Sequence, residues 1–157
     1  MMPNPNTESL ATLRGSLSAM PRWEHLIRRH EIGLRCYGHT RDETFAQAAL
    51  AWTALIVEPG RVQPQSAIDL ECRSSASSML LIDWLQLLKT EILVRNRLFC
   101  AFDVHITGQH LHAMAWGESL DVARHSPAAD LHTVRVEAAR LVSSGGAGWT
   151  AECVVHL

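Results

Sequence analysis

The chain changes its hydrophobic period several times. From His30 to Tyr37 the residues Ile32, Leu34 and Cys36 alternate with Gly33, Arg35 and Tyr37. A period of two marks a strand buried on one face, and this is the first strand the pattern predicts. Phe45, Ala48, Ala49, Trp52, Leu55 and Ile56 then recur at helical spacing, which predicts a helix whose apolar stripe covers a sheet. Thr40-Arg41-Asp42-Glu43 is a capping box at its start, and Glu58-Pro59-Gly60 is its stop. Ala67–Cys72 alternates again and reads as a strand. Ser74–Ser78 supplies turn and cap chemistry for a second helix, with Leu80, Leu81, Trp84, Leu85, Leu88 and Ile92 as its wide apolar face. Arg95-Asn96-Arg97 puts cations beside the last free carbonyls, where a helix ends well.

Beyond Leu98 the period returns to two. Phe102, Val104 and Ile106 share a face, and Thr107-Gly108-Gln109 turns the chain into Leu111, Ala113 and Ala115. Leu131–Val142 and Trp149–His156 predict another hairpin across Ser143–Gly148, a glycine-rich loop without the strand-to-helix setting of a phosphate loop. Strand, helix, strand, helix and then antiparallel strands is an α+β order: a two-layer fold with two helices packed on a largely antiparallel sheet. Residues 1–21, with Pro3, Pro5, Pro21, Asn4 and Asn6, read as a flexible N-terminal leader, and 22–157 as one domain.

Composition narrows the function classes. The 157 residues suffice for one self-sufficient core, and 47% hydrophobic with 19% charged residues is ordinary for a folded domain. A formal charge of −2 argues against holding nucleic acid by counterion release alone. Arg14, Arg22, Arg28, Arg29, Arg35 and Arg41 make the first quarter basic, a run that could meet phosphates or an acidic partner, although scattered solubilising charges are the simpler reading. Lys89 is the one lysine and lies in a predicted helix, so no lysine nucleophile is expected. Cys36, Cys72, Cys100 and Cys153 are isolated in apolar or alternating segments, without C-x-x-C spacing, and read as reduced core thiols. No apolar run reaches membrane-spanning length, and the expected location is the cytoplasm.

Three stretches carry a resemblance: Trp23-Glu24-His25 with His30-Glu31-Ile32-Gly33-Leu34, then Leu80-Leu81-Ile82-Asp83-Trp84-Leu85, then His112-Ala113-Met114-Ala115-Trp116-Gly117-Glu118. From about Trp23 to Leu157 the chain resembles the archease family, small metal-binding accessory proteins of the RtcB-type RNA-splicing ligase. The resemblance implies a two-layer fold, a protein partner with RNA met only indirectly, no membrane and no catalytic residue of its own. It also implies a divalent metal, calcium in the family, held at a tip formed by Glu31, His156 and Leu157.

Departures from the family pattern fall on that tip. Glu31 stands where the family has a calcium-ligating aspartate, and the added methylene moves the carboxylate by about 1.3–1.5 Å. His156 replaces an aspartate near the C-terminus, and His132 replaces a lysine that the family uses in assisting the ligase. Calcium prefers hard oxygens, whereas imidazole suits zinc and other transition metals, so Glu31, His132 and His156 together imply a re-specified two-histidine, one-carboxylate cluster. Asp83, in an Asp-Trp-Leu motif with Gln86 after it, is a further metal or partner contact, or simply the polar edge of its helix.

Other features read as scaffold. Gly117-Glu118 with Asp121 and Arg124-His125 matches a family pattern whose carboxylates serve the site or cap a turn, the second being favoured. His110 and His112 share a strand face at a spacing that can chelate, joined by His105 if the register allows; a solvated face is the simpler reading. Trp23, Trp52, Trp84, Trp116 and Trp149 are dispersed as core anchors rather than gathered for base stacking. Three function readings result: a ligase accessory factor in tRNA splicing or RNA repair, a diverged transition-metal module with hydrolase chemistry, and a paralogue that keeps only a protein-binding surface.

Overall fold

The computed structural model describes residues 22–127 and 134–156. Its strands are β1 (Trp23–Arg28), β2 (Glu31–Gly38), β3 (Ser66–Arg73), β4 (Arg97–Thr107), β5 (His110–Ser119), β6 (Arg135–Ser143) and β7 (Trp149–His156). Its helices are α1 (Arg41–Thr53), α2 (Ser77–Arg95) and the single turn α3 (Val122–His125). All strand pairs are antiparallel, and the fold is α+β as the periodicity predicts. The expected leader lies outside the described residues, as does the predicted start of the last hairpin before Val134. Among the described residues no helix is long and apolar enough to cross a membrane.

The strands divide into two sheets rather than one, ordered β1-β2-β7-β6 and β3-β5-β4. Alternation identifies a strand and its buried face but not the neighbour it pairs with, so this division was not legible. Helix α1 packs on β2 of the first sheet and β4 of the second, while α2 reaches β6 on one side and β3, β4 and β5 on the other. The two sheets therefore share one core. Phe45, Trp52, Trp84, Leu85, Phe99 and Phe102 are fully buried in it, and Trp84 Nε1 donates to the Phe45 carbonyl at 3.1 Å, tying α2 to α1.

Strand β1 was not expected. His25 is the reason: it occupies a core-facing position opposite Leu34, breaking the apolar alternation, and its Nε2 is satisfied by donating to the Ala51 carbonyl at 2.9 Å. The capping box of α1 forms with a shift. Thr40 Oγ1 accepts from the Glu43 amide at 3.1 Å, but the Glu43 carboxylate reaches the His39 amide, one residue before the cap. Helix α1 ends at Thr53, ahead of the expected stop, and the chain continues in turns through Val57. Helix α2 starts without a side-chain cap and closes on Asn96 in the left-handed region, at φ 50°. Gly117 is required by close approach, since a Cβ there would run into the Leu98 carbonyl of β4.

Candidate functional site

Glu31 opens β2 and His156 closes β7, and the register makes them partners. Arg28 pairs with Glu31 from β1, and Arg135 pairs with His156 from β6. Arg28, Glu31, His156 and Arg135 thus form one row across all four strands at an end of the first sheet. Their side chains share its outer face, because Val155 and Leu34 of the alternate set are buried on the core side.

A fifth residue joins the row. The register shifts between Val136 and Ala138, leaving Glu137 as the extra residue of a bulge, and such a bulge re-aims a side chain. His156 Nε2 lies 3.3 Å from Glu137 Oε2 and 3.9 Å from Glu31 Oε2. Arg28 Nη1 stands 3.7 Å from Glu31 Oε1, and Arg135 Nη2 stands 3.8 Å from Glu137 Oε1. The order along the row is cation, carboxylate, imidazole, carboxylate, cation, with every member partly open to solvent. The structure places Glu31 and His156, the pair that the family resemblance names, side by side; Glu137 was not named from the sequence, because the bulge that recruits it leaves no mark in the hydrophobic pattern.

Two carboxylates and one imidazole are donors for a divalent ion. They are a poor set for calcium, which takes six to eight oxygens, and a better one for a transition metal. Among the described residues, no three such donors stand together closely enough to enclose a metal. His132 and Leu157 lie outside the described residues. Asp83 is half buried on α2 beside Cys72 of β3, where burial first and the Asp83 charge second push the Cys72 thiol up to about 11. Its neighbour belongs to the second sheet rather than to the row.

The Gly117–His125 stretch makes a buried polar knot. Glu118 is only 3% exposed, and its carboxylate accepts from the Gln63 amide and from both terminal nitrogens of Arg124. Fully buried His125 accepts at Nδ1 from the Asp121 amide at 2.8 Å, so its proton sits on Nε2, 3.5 Å from Glu118 Oε1. Asp121 caps α3 by accepting from the Ala123 and Arg124 amides. Through these bonds the knot holds the loop after β5, the structural role favoured from the sequence, while buried His125 Nε2 has no hydrogen-bond partner among the described residues.

The thiols are reduced and packed. Cys36, Cys100 and Cys153 are buried and Cys72 half buried, none in a disulfide. Burial pushes the Cys153 thiol up to about 12 and Cys36 well above its ordinary value, which makes both inert as nucleophiles.

Residues 23–157 match the family model described as the archease protein family (MTH1598/TM1083). The chain is 28% identical to a protein archease of Pyrococcus abyssi over 139 residues, covering 86% of this chain and 98% of that one. It is 29% identical to a protein archease of Thermococcus gammatolerans over 142 residues, covering 88% and 100%. The solution structure of Methanobacterium thermoautotrophicum protein 1598 superposes with a TM-score of 0.66 at 23% identity, over 88% of this chain and all of that one. That likeness speaks for the fold.

Proposed function

The chain belongs to the archease family, and on that premise we propose that it is a non-catalytic accessory factor of an RtcB-type RNA ligase. It acts in the cytoplasm, in tRNA splicing or RNA repair. The end row of the first sheet is its working tip, and Glu31, Glu137 and His156 are the groups that meet a divalent metal there. The observation that carries this reading is the pairing of Glu31 with His156 across β2 and β7. The family resemblance requires these two positions to meet, although they lie at opposite ends of the domain. The donor set favours a transition ion over calcium, since the position expected to offer a carboxylate offers an imidazole. The formal charge of −2 supports contact with the ligase rather than with RNA directly.

The test is multiple-turnover joining of RNA ends by a purified RtcB-type ligase, with and without this chain. The expected result is a higher turnover number with the chain present, lost in Glu31→Ala and reduced in His156→Ala, while the chain alone joins nothing. An unchanged turnover number over a range of chain concentrations, with a ligase active in its own right, would overturn the proposal. Stability of the two variants should stay within about 0.5 kcal/mol of the parent, because they alter a partly exposed row.

A further inference from the structure

The outer face of the second sheet carries a different set of groups. The register aligns Asp69, Met114 and Asp103 in one row, Glu71, His112 and His105 in the next, and Arg73, His110 and Thr107 in the third. These side chains share the outer face because their neighbours Leu70, Leu111, Ala113 and Val104 are buried on the other. Three of the chain's nine histidines therefore stand on a patch three strands wide. His105 and His112 are direct cross-strand partners, a relation that puts Cβ atoms about 4.5–5.5 Å apart. Two imidazoles so placed reach a common ion at the usual metal–nitrogen length of about 2.0–2.1 Å. His110 follows two residues along β5, about 7 Å from His112 on the same face.

We propose that this face binds a divalent transition metal, with His105 and His112 as the chelating pair and His110 as the third ligand. As the side chains stand, each imidazole turns to a carboxylate: His110 to Glu71 at 2.5 Å, His105 to Asp103 at 3.3 Å and His112 to Asp69 at 3.5 Å. Three donors do not converge in that arrangement. The side chains of His105 and His112 are 67% and 56% exposed, so rotation about their χ angles meets little obstruction. The three carboxylates then take the outer role, accepting from the ring N–H groups that face away from the ion and fixing the imidazoles toward it. Imidazole donors select zinc, nickel or copper over calcium and magnesium. This face lies on the other sheet from the Glu31–His156 row, and the proposal does not depend on the ligase reading.

The experiment is titration of the full, untagged chain with zinc, and separately with nickel, followed by calorimetry, for the parent and for His105→Ala, His112→Ala, His110→Ala and His156→Ala. Affinity should fall roughly tenfold or more in His105→Ala and in His112→Ala, fall less in His110→Ala, and hold at this site in His156→Ala. Nickel provides a second readout on the parent protein: paramagnetic broadening should reach the ring protons of His105, His110 and His112 before those of His25 and His156. No binding of either ion, or affinity unchanged in both His105→Ala and His112→Ala, overturns the proposal. Binding that disappears in His156→Ala alone would also overturn it, by assigning the metal to the first sheet.

Discussion

The two sheets share a core yet present opposite kinds of outer surface. The first is laced with guanidinium–carboxylate pairs. Arg35 lies between Glu24 and Glu152 at 3.2 and 2.9 Å, and Arg28 and Arg135 bracket the Glu31–His156–Glu137 row. The second pairs its carboxylates chiefly with histidines, at Glu71, Asp69 and Asp103, with Arg73 a further 4.0 Å partner of Glu71. Arginine keeps its charge at any accessible pH and offers no lone pair, whereas neutral imidazole is a metal ligand. The contrast teaches that sheet architecture does not decide which surface offers nitrogen donors; the partner set beside the carboxylates, guanidinium or imidazole, does, and on the first sheet His156 is the imidazole in that place.

The largest effect tests whether the two sheets are one cooperative unit. Trp84→Ala removes a fully buried side chain whose Nε1 bonds the Phe45 carbonyl and which packs edge-on against Phe102 of β4, ring centroids 5.9 Å apart. A loss of about 3–5 kcal/mol is expected. Amide exchange should accelerate in β2 and in β5 together, in one urea transition. Protection kept in the first sheet and lost in the second would split the fold into two units and make the comparison one between domains.

Next is alkaline stability, which tests the two buried thiols of the first sheet, the second having buried Cys100 and half-buried Cys72. Cys36 and Cys153 lie on the core side of the first sheet and remain protonated when folded well past the ordinary thiol value of 9.0, Cys153 up to about 12. The unfolded chain releases those protons near 9. Above that pH it binds fewer protons than the folded chain, so stability is full below 9 and falls as pH rises toward 12. Each buried thiol contributes about 1.4 kcal/mol per pH unit. Cys72, in the second sheet, is half exposed and is pushed only to about 11, so solvent screening makes its share smaller. Urea midpoints between pH 8 and 10.5 should show the slope, and Cys153→Ala should reduce it by one thiol's share. An unchanged slope in that variant would remove Cys153 from the account.

Much of this arrangement was legible. The period-two runs of β2, β3 and β5, the apolar stripes of α1 and α2, and the turn at Gly108, which takes φ 62°, follow from local chemistry. What escaped involved long-range choices. Strand β1 hid behind inward-facing His25, whose partner Ala51 belongs to a helix 26 residues away. The division into two sheets depends on which strand edges the helices bring together. At the candidate site, Glu31 and His156 could be named through family resemblance, but Glu137 depends on a bulge and on the β6–β7 register. The reading of His105 turned on the hairpin register, and the structure places it directly opposite His112. The exposure of these histidines agrees with the solvated-face reading, and the register adds that His105 and His112 are direct cross-strand partners while His110 lies opposite Thr107.

The smallest expected effect is the one that keeps the surface comparison interpretable. His112 sits at an exposed position of the central strand of its sheet, contacting Asp69 at 3.5 Å, so its side chain contributes little to folding. Threonine suits that position at least as well, being β-branched and polar. His112→Thr should leave the urea midpoint within about 0.5 kcal/mol of the parent, of either sign, because neither core volume nor a buried partner changes. Arginine at the same position puts a permanent cation beside Asp69 and Glu71 and removes the imidazole lone pair, copying the first sheet's solution on the second. If stability holds in both variants while zinc binding is lost in both, imidazole chemistry separates the two surfaces. If His112→Arg retains zinc, the carboxylates hold the ion and the distinction between the two sheets fails.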